Sequence, residues 1–77
     1  MDKDSYRLQE FGIRLAELRK QKGISQEKLA LESGLARSYL SGVERGQRNI
    51  SLLNIYKIAD TLDIAIECFF DNHLRNE

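Results

Sequence analysis

Gln26-Glu-Lys-Leu-Ala-Leu-Glu-Ser-Gly-Leu-Ala-Arg-Ser-Tyr-Leu-Ser-Gly-Val-Glu-Arg45 reads as two short helices joined at Gly34, and this stretch decides the fold. Two helices that cross steeply need a small side chain where they approach, and Ala30 supplies one. The tight turn between them favours a residue that tolerates positive φ, which Gly34 does at no steric cost. Leu40 and Val43, three apart, face one way, while Arg37, Ser38, Ser41 and Arg45 stay outside. An exposed helix this rich in hydrogen-bonding groups suits the major groove of DNA. The pattern 25–45 therefore predicts a helix-turn-helix.

The rest of the chain extends this to an all-helical domain. Leu8, Phe11, Leu15 and Leu18 lie at spacings of three and four and predict a first helix over 5–21, closed by Gly23. Ser25 is placed to cap the second helix, and Glu27 in its first turn suits the helix dipole. The third helix is expected over 36–45, ending at Gly46. Ser51 can cap a fourth, whose core face would be Leu52, Ile55, Ile58, Ala59 and Leu62. A fifth is expected over 65–73. Ala36 stands where Ser, Thr or Asp would normally cap the third helix, and alanine there costs about 0.5–2 kcal/mol. Either that first turn is loosely held, or the helix begins later with Ser38 as its cap.

Composition narrows the function. The 77 residues are read as one domain, 1–77, which would bury only roughly 60% of its unfolded surface. With one cysteine no internal disulfide can form, and a reducing cytoplasm is the expected compartment. No apolar run approaches the ~20 residues of a membrane span, and the start Met-Asp-Lys-Asp-Ser lacks a signal-peptide pattern. The formal net charge is zero, yet residues 14–48 hold eight basic against four acidic side chains. Residues 49–77 hold two basic against five acidic. Local field rather than total charge governs approach to phosphate, so the helix-turn-helix end is the one expected to meet DNA.

Enzyme chemistry finds no support. His73 and Cys68 have no partners at metal-ligand spacing, and there is no glycine-rich phosphate loop or nucleophile motif. Neither a metal nor a cofactor is expected, and no second domain offers a small-molecule effector site. Asp60 and Asp63 read as a solvated helix end.

Residues 23–30 and 33–52 resemble the Cro/phage-repressor, or XRE-type, helix-turn-helix family, and the resemblance runs over 11–70. It implies a lambda-repressor-like, compact five-helix fold that binds palindromic double-stranded operators as a homodimer. Within the family, Arg-Ser-Tyr-Leu-Ser-Gly-Val-Glu-Arg-Gly-Gln-Arg-Asn-Ile-Ser (37–51) is most like the controller proteins of restriction–modification systems, which regulate their own gene and the endonuclease gene. Three residues depart from the pattern: Ile50, where many relatives have proline, Ala36, where controllers often have Asp or His, and Gly42, where relatives have a long polar side chain.

Residue roles follow from residue chemistry and from that resemblance. Arg37 and Ser38 are the candidate base contacts, since a guanidinium can donate two parallel bonds to guanine. Gln26, Tyr39, Ser41, Arg45, Arg48 and Asn49 are the candidate contacts to the DNA backbone. Gly42 offers no side chain, so one base contact made by relatives is expected to be missing. Arg19 and Glu44 resemble a structural salt bridge of phage repressors. Leu53, Tyr56, Ile66, Phe69 and Phe70, within a dimerisation part over 52–72, are the candidate two-fold interface, with one of the two phenylalanines expected to close the core instead. Two rival readings predict other behaviour. An antitoxin-type repressor would carry an extra segment to grip its toxin, and another XRE-type repressor would bind DNA without the restriction–modification setting. A helical protein-interaction module would bind DNA weakly and be indifferent to loss of Arg37.

Overall fold

The computed structural model describes residues 2–71. Its helices are α1 (Lys3–Gln21), α2 (Gln26–Ser33), α3 (Arg37–Glu44) and α4 (Leu52–Leu62), followed by a 3-10 helix at Ile66–Phe69. The expectation of five helices is thus corrected to four α-helices and one short 3-10 turn. The part of the expected fifth helix that includes His73 lies outside the described residues.

The caps explain the boundaries. Asp2 accepts from the Ser5 backbone N–H at 2.7 Å, so α1 begins two residues earlier than the apolar stripe suggests. Ser25 accepts from Lys28 N–H at 3.0 Å and Ser51 from Asn54 N–H at 3.2 Å, as the sequence predicts. Ala36 is the N-cap of α3 and makes no side-chain cap bond. That settles the start of the helix in favour of Ala36 over Ser38. Gly34 closes α2 at φ 78°, ψ 17°, where its N–H and that of Leu35 both donate to Ala30 O, at 3.0 and 3.1 Å. Asp63 closes α4 in the same left-handed region, at φ 56°. A short polar side chain is among the few that visit that region routinely.

α1 packs on α3, α2 packs on both α3 and α4, and the 3-10 turn closes against α1 and α4. The buried set is Leu15, Leu18, Leu29, Ala30, Leu40, Val43, Ile55, Ile58, Ala59, Leu62 and Phe69. The α1–α3 contact depends on a residue that apolar periodicity passes over. A Cβ added to Gly12 would lie 2.4 Å from Val43 O and 2.5 Å from Glu44 O. The α1 backbone therefore lies directly on the last turn of α3, and only glycine fits there. Arg14 ties α1 to the C-terminal turn by donating from Nε to Cys68 O at 2.8 Å.

Two apolar expectations are corrected. Leu52 is 63% exposed rather than part of the α4 core face. It precedes the first buried residue of that helix by almost a full turn, where nothing packs over it. Phe69 is 2% exposed and Phe70 is 58% exposed, so Phe69 closes the core and leaves the candidate interface. Its ring lies 5.4 Å from that of Phe11, and Phe70 lies 5.7 Å from Phe11 on the outer side.

Candidate nucleic-acid interface

α3 presents its N-terminal turn to solvent. Arg37 and Ser38 are both exposed, and neither side chain makes a hydrogen bond or ion pair among the described residues. Their donors are therefore available to a ligand. The helix beneath them is amphipathic, with Leu40 and Val43 at 0% and 1% exposure. Burial of that face fixes the rotation of α3 and so decides which side chains point outward.

A buried ion pair sets the tilt of α3. Arg19 donates from Nε to Glu44 Oε2 at 2.7 Å and from Nη2 to Glu44 Oε1 at 3.0 Å. Its Nη1 donates to Ile24 O at 2.9 Å, so all three guanidinium nitrogens are committed. The two side chains are 11% and 7% exposed. The hydrogen bonds to Glu44 raise the Arg19 pKa above its ordinary value, against the opposing effect of burial. One guanidinium at the end of α1 thus joins the loop before α2 and the end of α3. Arg19 and Glu44 form an ion pair that ties α1 to α3.

Gln26 belongs to the same brace. Its Nε2 donates to Glu44 Oε1 at 2.9 Å. One bond uses one of the two Nε2 hydrogens, so the side chain keeps a second N–H donor. The bond gives Gln26 a structural role, while its second Nε2–H and its backbone N–H at the start of α2 remain donors beside the expected DNA backbone.

The other expected contacts divide by how far the fold has engaged them. Arg45 donates from Nη1 to Ser41 Oγ at 2.9 Å and from Nε to Gln47 Oε1 at 3.3 Å. Arg45 and Ser41 thus form one exposed unit that retains further N–H groups for phosphate. Tyr39 is half-buried, and its hydroxyl accepts from Asn54 Nδ2 at 3.1 Å and donates to Asn49 O at 3.5 Å. Its engagement with α4 argues against the free phosphate contact expected of it. The Asn49 side chain is exposed, and Arg48 lies with its guanidinium carbon 5.4 Å from the centre of the Tyr39 ring.

The basic segment is weaker than its sequence count. Arg14 and Arg19 are turned into internal bonds, and Lys28 lies 3.9 Å from Glu32 on the surface of α2. Arg37, Arg45 and Arg48 are the exposed cations on α3 and the loop after it. Neither the Gln26–Glu44 bond nor the Asn54–Tyr39 bond was anticipated from sequence. Both join polar residues 18 and 15 apart, a separation at which no local periodicity operates.

Other surfaces offer less chemistry. A groove lined by Lys3, Tyr6, Arg7, Glu10, Phe11, Phe69 and Phe70 contains none of the candidate DNA contacts. Among the described residues no group of three His, Cys, Asp or Glu side chains could hold a metal, and no helix is long and apolar enough to cross a membrane. Leu53, Tyr56 and Phe70 of the candidate dimer surface are 72%, 46% and 58% exposed. Ile66 is half-buried against the core.

A solvent-facing helix end with uncommitted donors, set on a tight glycine turn and braced from beneath, defines a helix-turn-helix DNA-binding domain. The chain belongs to the helix-turn-helix family, whose profile matches residues 15–67, and within it to the XRE type. It is 49% identical over 62 residues to the control protein C.BamHI of Bacillus amyloliquefaciens, a match covering 79% of this chain and 76% of that one. The crystal structure of the restriction–modification controller protein C.AhdI from Aeromonas hydrophila superposes with a TM-score of 0.83 at 60% identity, over 84% of this chain and 98% of that one. The biofilm regulator SinR, solved in complex with DNA, superposes with a TM-score of 0.75 at 37% identity, over 79% of this chain and 98% of that one.

Proposed function

We propose that this chain is a sequence-specific transcription regulator that binds a near-palindromic operator as a homodimer and serves as the autoregulating controller of a restriction–modification system. The observation that carries the reading is the exposed start of α3, where Arg37 and Ser38 have no protein partner while the helix below them is rigidly braced. Likeness to C.BamHI and C.AhdI, both named as controllers, supports the restriction–modification setting. Arg37 and Ser38 read bases, and Arg45 with Ser41, Arg48, Asn49 and the α2 N-terminus grip the DNA backbone.

The dimer surface is Leu52, Leu53 and Tyr56 on α4 with Phe70 and the exposed edge of Ile66. Leu52 and Tyr56 are four apart and so share one side of the helix. A two-fold axis through this surface would set the two reading helices about 34 Å apart, one turn of DNA. No effector site is assigned, so the regulator would respond to its own cytoplasmic concentration through dimerisation.

The test is titration onto the DNA upstream of its own gene, against a shuffled duplex, at two salt concentrations. The reading requires tight, salt-dependent binding to the upstream duplex, and Arg37→Ala should lose about 1–3 kcal/mol of discrimination between the two. Equal, weak binding to both duplexes would remove the function and favour a protein-interaction module.

A further inference from the structure

Among the described residues, Arg48 is the exposed cation of the candidate interface that the fold holds without engaging its donors. Arg45 is tied to Ser41 and Gln47, and the Arg37 side chain makes no hydrogen bond or ion pair among the described residues. Arg48 makes no hydrogen bond or ion pair among the described residues, yet its side chain is confined along its length. Its stem crosses Gly42 so closely that a Cβ built there would lie 2.4 Å from Arg48 Cγ, 3.4 Å from Cδ and 3.5 Å from Cβ. Its guanidinium then rests over the Tyr39 ring at 5.4 Å.

The seat is itself fixed. Asn54 Nδ2 holds the Tyr39 hydroxyl at 3.1 Å, and the Asn54 backbone N–H is held by Ser51 Oγ at 3.2 Å. Gln47 N–H donates to Gly42 O at 2.8 Å, which pins the loop that carries Arg48 against α3. An aromatic face attracts a guanidinium through its quadrupole and uses none of the N–H groups. A salt bridge in the same place would have occupied the donors that phosphate needs. The notch at Gly42 is filled by the stem of Arg48.

We propose that Gly42, Tyr39 and Asn54 form a seat that aims Arg48 before DNA arrives, so that Tyr39 and Asn54 are positioning residues acting through Arg48. The proposal rests on the DNA-binding reading above. It assigns Asn54, on the helix that carries Leu53 and Tyr56, a part in DNA affinity without contact to DNA.

Gly42→Ala separates aim from fold. The glycine lies inside α3 with ordinary helical geometry, so the helix preference of alanine offsets part of the cost of displacing the Arg48 stem. The chain should still fold with a melting temperature close to that of the unaltered protein. The new Cβ expels the Arg48 stem, and binding to the upstream duplex should weaken about 2- to 12-fold, the effect of leaving one long side chain to be ordered on binding. A double-mutant cycle then tests the relay. Tyr39→Leu and Asn54→Ala should each weaken binding in the unaltered chain and have no further effect in an Arg48→Ala background.

Undiminished affinity in Gly42→Ala overturns the proposal. So do equal losses for Tyr39→Leu with and without Arg48, which would mean that Tyr39 touches DNA itself. A readout without DNA distinguishes this failure from failure of the function. In the free protein, the Arg48 side-chain protons should show an upfield ring-current shift that disappears in Tyr39→Leu. If the chain binds neither duplex, the proposed function falls and that shift alone decides the seat, its absence overturning it.

Discussion

Replacing Arg19 by alanine should be among the most damaging single changes outside the apolar core. The variant removes two hydrogen bonds to Glu44 and one to Ile24 O. It also strands a carboxylate that is 7% exposed. Breaking a buried pair from one side costs about 3–5 kcal/mol, because the remaining charge is left uncompensated. Gln26 Nε2 still donates to Glu44, which places the expected loss at the lower end, ~3 kcal/mol. A chain of this length has a total stability of about 4–11 kcal/mol, so the loss is a large share of it. For a domain this small each kcal/mol moves the melting temperature by about 4–8 °C, giving a fall of about 12–24 °C.

Thermal unfolding followed by far-ultraviolet circular dichroism measures this directly. The companion variant is the double substitution Arg19→Met with Glu44→Leu, which replaces the pair by apolar groups and should recover most of the loss. A fall below about 4 °C for Arg19→Ala, the equivalent of 1 kcal/mol, would refute the reasoning. A double variant at least as unstable as the single one would refute it as well, by showing that the stranded charge is not the source.

Further predictions follow from other contacts. Gly12→Ala drives a methyl group into the Val43 and Glu44 carbonyls and should cost about 1–3 kcal/mol, read by urea unfolding. A loss under 0.5 kcal/mol would show that α1 can slide off α3 freely. Ala36→Ser supplies the missing cap of α3 and should add about 0.5–2 kcal/mol of stability in the same assay. The Asp2 carboxylate is held below its ordinary pKa by the Ser5 backbone N–H. Its contribution to α1 is therefore present above the unfolded value and lost as pH falls through the folded one. The protection factor of the Ser5 amide, the ratio of its intrinsic to its observed exchange rate at each pH, should fall on acidification, and Asp2→Ala should abolish that fall.

Much of the fold is legible in sequence because local chemistry fixes it. Ser25, Gly34 and Ser51 mark helix ends through bonds that span three or four residues, and Leu15, Leu18, Leu40 and Val43 mark faces through helical spacing. What escapes is set by tertiary approach. Gly12 has no side chain for a periodicity count, although the α1–α3 contact is built on it. Leu52 fits the apolar spacing of α4, but it lies on a first turn that no neighbour covers. Phe69 and Phe70 are adjacent and chemically alike, so only the closure of the 3-10 turn tells core from surface. The candidate interface divides in the same way. Arg37 and Ser38 are readable from their place on α3, whereas the capture of Gln26 by Glu44 and of Tyr39 by Asn54 depends on which loop meets which helix.

The close approach at Gly12 also bears on how this sequence can drift. Any change to the first or second base of a glycine codon introduces a side chain, and at position 12 every such side chain begins with the same obstructed Cβ. At Gly34 an added Cβ meets nothing within 4 Å, and the penalty is only that of the left-handed backbone. A library of random substitutions selected for operator binding should therefore keep position 12 as glycine almost without exception. Position 34 should admit asparagine and a few others, and Leu31, 81% exposed, should vary freely. Position 12 is thus constrained by two carbonyl oxygens, a limit invisible to any hydropathy profile.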